Sequence, residues 1–104
     1  MLNLKAAAEK IKNMPAIGEV TLAAIGRLGE RGPEDEICAG LIKMQINSIP
    51  YDYADYRNDI LCSPITEIVR RMHEPDIEYC AQENISRTVP GLYTENGEKI
   101  ILAV

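Results

Sequence analysis

The spacing of apolar and polar side chains along the chain changes once, near residue 75. Before that point apolar residues recur at intervals of three and four, which is the period of an amphipathic helix. This spacing predicts five helices, at residues 2–13, 17–30, 33–47, 51–61 and 64–73. Proline and glycine separate the predicted helices, since both residue types interrupt regular helix.

Two of these helices carry explicit start signals. Pro33 stands where the first helical residue is expected, and three acidic residues follow it, which favours the positive end of the helix dipole. Ser63 and Pro64 are typical of an N-cap and a first helical position. We therefore interpret the acidic run after Pro33 as a complement to the dipole and not as a metal site.

Beyond Pro75 the apolar period shortens to about two, as in a strand. Asn96-Gly97 separates two strand-like runs and is a strong hairpin signal, because both residues tolerate positive φ. The pattern predicts an antiparallel hairpin or meander over residues 76–103. Residues 76–89 also fit a helical spacing, so strand and helix both stay open there. The predicted fold class is mainly α with a small C-terminal β-hairpin, in one domain spanning 1–104.

Composition places the chain among ordinary globular proteins, with 46% hydrophobic and 26% charged residues over 104 positions. No apolar run reaches the ~18–20 residues that span a bilayer, and the first residues do not resemble a signal peptide. The three cysteines are widely spaced, and joining them with His73 in a zinc site would lack the usual close cysteine pair. We predict a cytoplasmic protein with free thiols and without a metal or other cofactor.

Catalytic signatures are missing from the sequence. The one histidine, His73, lies at a predicted helix end, and no nucleophile elbow, P-loop, zinc-protease or dinucleotide motif occurs. The sequence therefore predicts a protein that binds and does not catalyse.

The C-terminal part of the chain carries a family resemblance. Residues 65–72, 77–79 and 96–99 resemble the recognition helix and wing of small winged helix-turn-helix proteins common in bacteriophages. The resemblance implies a winged-helix-like fold and a DNA-binding regulator of a phage or other mobile element, with a homodimer as one option. It also implies that exposed side chains of helix 64–73 read base edges while the wing contacts the DNA backbone.

On that resemblance, the residues for double-stranded DNA are the exposed polar positions of the helix and two cations of the wing. They are Thr66, Arg70, Arg71, Arg87 and Lys99. Arginine suits bidentate contact with guanine. The plainer alternative is a surface helix on which Glu67 pairs with Arg71.

Charge favours a second hypothesis. The net charge is −5, and residues 32–62 hold six acidic against two basic side chains, whereas DNA-binding modules are usually basic. The acidic candidates on two predicted helices are Asp52, Asp55, Asp59, Glu34, Asp35 and Glu36. They suggest a small protein-binding inhibitor that covers the basic surface of a nucleic-acid-binding protein complex, as anti-CRISPR and anti-restriction proteins do as a class. The simpler alternative is a solvated acidic face.

Overall fold

The computed structural model describes residues 1–15 and 18–104, in which helices are followed by one β-hairpin. The elements are α1 (Leu4–Lys12), α2 (Pro33–Ile46), α3 (Ala54–Leu61), α4 (Pro64–Cys80), β1 (Pro90–Glu95) and β2 (Glu98–Ala103). This confirms the predicted fold class, mainly α with a small C-terminal antiparallel hairpin.

The helices pack in chain order, α1 on α2, α2 on α3 and α3 on α4. Their contacts bury one small set of apolar side chains. In the described residues these are Leu4, Ala8, Leu41, Ile60, Ile77 and Ala81. The helical spacing of apolar residues in the sequence predicts Leu4, Ala8, Leu41 and Ile60 on apolar faces, and their burial confirms this.

The predicted helix over residues 17–30 is wrong. Ile17 lies outside the described residues, and residues 18–30 form no helix. Gly26, Leu28 and Gly29 adopt left-handed φ values of +69°, +52° and +84°, which an α-helix does not accommodate. Arg27 and Glu30 exchange backbone hydrogen bonds of 3.1 and 2.9 Å and close a tight turn. The apolar spacing here therefore does not build a buried stripe, and Leu28 is 94% exposed.

α4 differs from its prediction at its C-terminal end. It runs to Cys80 and is broken at His73, whose φ and ψ are −158° and 87°. Pro75 cannot donate to a carbonyl one turn earlier, but it fits the first turn of a new helical segment. Residues 76–80 are consequently helical and 81–89 form neither helix nor strand, so the strand alternative for 76–89 is wrong and the helical one holds only over 76–80. Ile77 is buried within this segment, and Ala81 is its buried C-cap.

The hairpin forms as predicted and stands apart from the helices. Asn96 and Gly97 have φ of +50° and +82°, as a two-residue type I′ turn requires. Leu92 lies opposite Ile101 in the antiparallel register. Among the described elements no helix contacts either strand. The base of the hairpin is held to the N-terminal segment, where the Asn3 side chain donates to the Thr88 carbonyl at 2.8 Å.

Candidate functional site

The N-terminal end of helix α3 is fixed to its neighbours by two tyrosines that stand just before it, Tyr51 and the N-cap Tyr53. The Tyr53 hydroxyl donates to the Ala81 carbonyl at 2.6 Å. The Tyr51 hydroxyl, just before the helix, donates to Glu83 and accepts from Gln45, both at 2.8 Å. Burial raises the pKa of both tyrosines above its usual value, so both hydroxyls remain protonated donors at neutral pH. These bonds set the rotation of α3 about its own axis.

Three carboxylates lie in and just before α3, and we call them the acidic face: Asp55 and Asp59 on the helix, and Asp52 before its N-cap. All three are exposed, and none forms an ion pair with another residue of the described chain. Asp55 and Asp59 are four residues apart and therefore share one side of the helix. Asp52 also accepts a hydrogen bond from the Ala54 amide at 3.0 Å, which supports the start of α3. In the sequence, Tyr53 and Tyr56 recur at one helical spacing and the three aspartates at another, which predicts tyrosines inward and aspartates outward. The half-buried tyrosines and exposed aspartates confirm this prediction.

The acidic residues at the start of α2 are used differently. Asp35 accepts a hydrogen bond from the Gly26 amide at 2.8 Å. Glu36 accepts two from the Arg31 guanidinium at 2.6 and 2.7 Å, and this contact lowers the pKa of Glu36. Glu34 is half-buried, and its Oε2 has no hydrogen-bond partner within the described residues. Asp35 and Glu36 thus hold the turn before α2 in place, and the acidic surface rests on α3.

Thr66 does not lie where the DNA-binding prediction requires it. Its side chain is buried, and its hydroxyl donates to the Ile60 carbonyl at 2.8 Å and lies 2.9 Å from the Ser63 hydroxyl. The Ser63 hydroxyl also accepts from the Thr66 amide and caps α4. The expected exposure of Thr66 is therefore wrong, because this residue joins α3 to α4.

The two arginines of α4 have unequal surroundings. The Arg70 side chain is 32% exposed; it donates to the Leu61 carbonyl at 3.0 Å and lies within 3.5 Å of Glu67 and Glu74. The Arg71 side chain is 79% exposed and lies 3.6 Å from Glu67. Glu67 thus contacts both arginines, and Arg70 is oriented toward the α3–α4 junction, so the pair does not form an open cationic surface.

The inward side of α4 is rotated from the predicted apolar face. The helical spacing of Ile65, Ile68, Val69 and Met72 in the sequence predicts an apolar inward face, but Ile68 and Met72 are exposed while Thr66 is buried. The hydroxyl network at the Ser63 cap sets this rotation by directing Thr66 toward the end of α3.

The two cations predicted for the wing, Arg87 and Lys99, lie in different surroundings. Arg87 lines a groove of about 800 Å³ together with Lys5 and Lys10 of α1. Lys99 lies on β2 beside Glu98 and opposite Thr94. The structure thus joins Arg87 to lysines that the sequence analysis did not single out, since only the chain reversal at residues 84–89 brings them together.

Other candidate chemistry is limited to isolated groups. His73 Nδ1 lies 3.0 Å from Asp76 Oδ1 on the exposed side of the α4 break. The three cysteines are free thiols, and burial raises the pKa of Cys38. Across residues 1–15 and 18–104, no cluster of three or more metal-ligating side chains occurs, and no helix is long and apolar enough to cross a bilayer.

Comparison with protein-family models, curated proteins and solved structures gave no match for this chain. The likeness to winged helix-turn-helix proteins therefore rests on its own residues and stays a prediction.

The different surroundings of the two arginines lead to a direct test. Arg70→Ala is expected to lower the free energy of unfolding by about 1 kcal/mol, because it removes a donor from a carbonyl at the α3–α4 junction. Arg71→Ala is expected to change it by less than about 0.5 kcal/mol, as for most exposed positions. Urea unfolding of the two variants, at one protein concentration, measures the difference. Equal small effects would contradict the structural role of Arg70.

Proposed function

We propose that the protein is a non-enzymatic binding module whose acidic face engages a basic surface on a partner protein. One observation carries this proposal. Asp52, Asp55 and Asp59 are exposed together and unpaired within the described residues, in and just before a helix whose N-terminal end is fixed by the tyrosine hydrogen bonds. Because α3 is held in one orientation, little conformational freedom of its backbone remains to be lost on binding.

The spacing of the acidic face suits a protein surface that normally binds nucleic acid. From Asp55 to Asp59 the helix rises about 6 Å, and Asp52 adds a third charge just before the helix start. One DNA strand carries a charge about every 3.4 Å, and basic surfaces that bind it are arranged for closely spaced anions. Complementary charge speeds association with such a surface and selects against acidic partners. The partner class that fits is therefore a nucleic-acid-binding protein, and the effect of binding is to occlude its basic surface.

The same contacts weigh against direct DNA reading by α4. Thr66 is buried, and Arg70 is occupied by a carbonyl and two carboxylates. The alternative proposal is that this protein itself binds DNA, as a regulator of the winged helix-turn-helix type. The experiment below distinguishes the two proposals.

The test is the displacement of a labelled oligonucleotide from purified nucleic-acid-binding proteins, followed by fluorescence anisotropy. We expect the wild-type protein to release the oligonucleotide from at least one of them. The triple variant Asp52→Asn, Asp55→Asn, Asp59→Asn is expected to compete at least tenfold more weakly, since about 1.4 kcal/mol of lost interaction corresponds to tenfold. Asparagine at position 52 retains an acceptor for the Ala54 amide.

A matched control removes three charges elsewhere, with Glu19→Gln, Glu95→Gln and Glu98→Gln. This variant changes the net charge equally and is expected to compete like the wild type. Equal weakening of both triple variants would reduce the effect to net charge alone. A labelled DNA duplex is also mixed with this protein alone. If its fluorescence anisotropy rises, and the double variant Lys10→Ala, Arg87→Ala abolishes the rise, the proposal is overturned in favour of DNA binding.

A further inference from the structure

The chain exposes more surface than a compact protein of its size. Its accessible surface is 7681 Å², whereas a folded monomer of this mass exposes about 5,800 Å². Its radius of gyration is 15.0 Å, against about 13 Å for a compact chain of this length. The excess of about 1,900 Å² exceeds the ~800 Å² that one partner contributes to a standard protein interface. The molecule therefore leaves more surface uncovered than a compact isolated chain of its size.

Part of the exposed apolar surface lies on the hairpin. Leu92 and Ile101, which lie opposite each other, are 65% and 72% exposed, and Leu102 and Val104 are exposed as well. An isolated two-stranded hairpin is only marginally stable in water, and further strands stabilise it. In the described chain each strand pairs on one side only, so each has one free edge.

The alternation of hydrogen-bonded and non-hydrogen-bonded residue pairs along the hairpin shows which backbone amides point outward from each edge. The Val104 amide donates to the Val89 carbonyl at 2.8 Å, which places this pair among the hydrogen-bonded pairs of the ladder. Because hydrogen-bonded and non-hydrogen-bonded pairs alternate, Leu92 and Ile101 form a non-hydrogen-bonded pair. Their amides therefore point outward, Leu92 on the β1 edge and Ile101 on the β2 edge.

The two edges are not equivalent. Pro90 lies at an outward position of β1 and has no amide to donate, which is a common way of protecting a strand edge. The β2 edge has no proline and presents outward amides at Lys99, Ile101 and Ala103. The free edge suited to pairing is therefore β2.

We infer that β2 pairs antiparallel with β2 of a second copy of this chain and forms a four-stranded sheet. A two-fold axis near Ile101 puts this residue opposite its own copy and Lys99 opposite Ala103 of the second chain. Each Glu98 is then about six residues, or about 20 Å, from its copy, so like charges stay apart. The outer edges of this sheet are the β1 strands with Pro90, so assembly closes at two chains. A second copy fits this edge because, in antiparallel pairing about the two-fold axis, the outward amides of each β2 lie opposite the outward carbonyls of the other.

This inference does not depend on the acidic face, which lies on α3. The experiment is sedimentation velocity of the full chain from micromolar to millimolar concentration, on the wild type and two matched variants. We expect the wild type to sediment as a dimer and Ile101→Pro as a monomer of half the mass. Leu92 is paired with Ile101, and its amide points outward from the β1 edge. Leu92→Pro removes that amide, and this variant is expected to remain dimeric. Neither proline removes a hydrogen bond within the hairpin.

Hydrogen exchange on the wild type gives a second readout that needs no variant. The amides of Lys99, Ile101 and Ala103 are expected to exchange at least tenfold more slowly as the concentration rises, while those of Leu92 and Thr94 do not change. A monomeric wild type at millimolar concentration would overturn the inference. Concentration-dependent protection on β1, or a monomeric Leu92→Pro beside a dimeric Ile101→Pro, would also overturn it. The triple aspartate variant should remain dimeric, so failure here is distinguishable from failure of the proposed function.

Discussion

Leu41→Ala is expected to lower the free energy of unfolding by about 3 kcal/mol, the largest effect of any single substitution considered for this chain. Leu41 is 1% exposed and lies on α2, which packs against both α1 and α3. Alanine at this position removes buried apolar surface and leaves a cavity between three helices. Since small domains have about 5–15 kcal/mol of stability in total, this loss is a large fraction of it.

Leu28→Ala is the matched control, because it deletes the same atoms from a side chain that is 94% exposed. It is expected to change the free energy of unfolding by less than about 0.5 kcal/mol. Urea unfolding followed by circular dichroism measures both, at one fixed protein concentration because self-association adds to apparent stability. A loss below about 1 kcal/mol for Leu41→Ala would contradict its central position in the core.

The parts of the fold that could be predicted are those that local chemistry determines. Pro33 and the pair Ser63-Pro64 stand at the observed starts of α2 and α4. Asn96-Gly97 forms the turn of the hairpin, since both residues accept positive φ at low cost. The tyrosine and aspartate sides of α3 follow from a spacing that only one helical rotation satisfies. Each of these signals lies within a few residues of the feature it determines.

The candidate DNA site could not be placed in the same way. The family resemblance implied that Thr66 faces solvent on a recognition helix. The structure reverses this because the Thr66 hydroxyl satisfies the Ile60 carbonyl at the end of the preceding helix. This contact depends on the angle between α3 and α4, which hydrophobic periodicity does not encode. The groove joining Arg87 to α1 depends likewise on a chain reversal more than 70 residues from α1 in sequence.

The failed prediction over residues 17–30 has a steric origin that a single substitution tests. Gly26→Ala is expected to lower the free energy of unfolding by about 3 kcal/mol, close to the effect of Leu41→Ala. Gly26 has a left-handed φ of +69°, and a Cβ there would collide with the Glu30 carbonyl oxygen, which accepts the Arg27 amide. Relieving that overlap opens the turn and draws the Gly26 amide away from the Asp35 carboxylate.

Gly29→Ala separates the collision from the cost of left-handed backbone. Gly29 also has positive φ, at +84°, but a Cβ there meets no atom within 4 Å. Alanine at 29 is therefore expected to cost only about 1 kcal/mol, the intrinsic penalty for the left-handed region. Thermal or urea unfolding of the two variants should show a difference of about 2 kcal/mol, and that difference measures the steric part. If both variants lose the same stability, Gly26 is required only for its φ. If neither loses any, the turn is not part of the folded structure and the helical prediction would regain support.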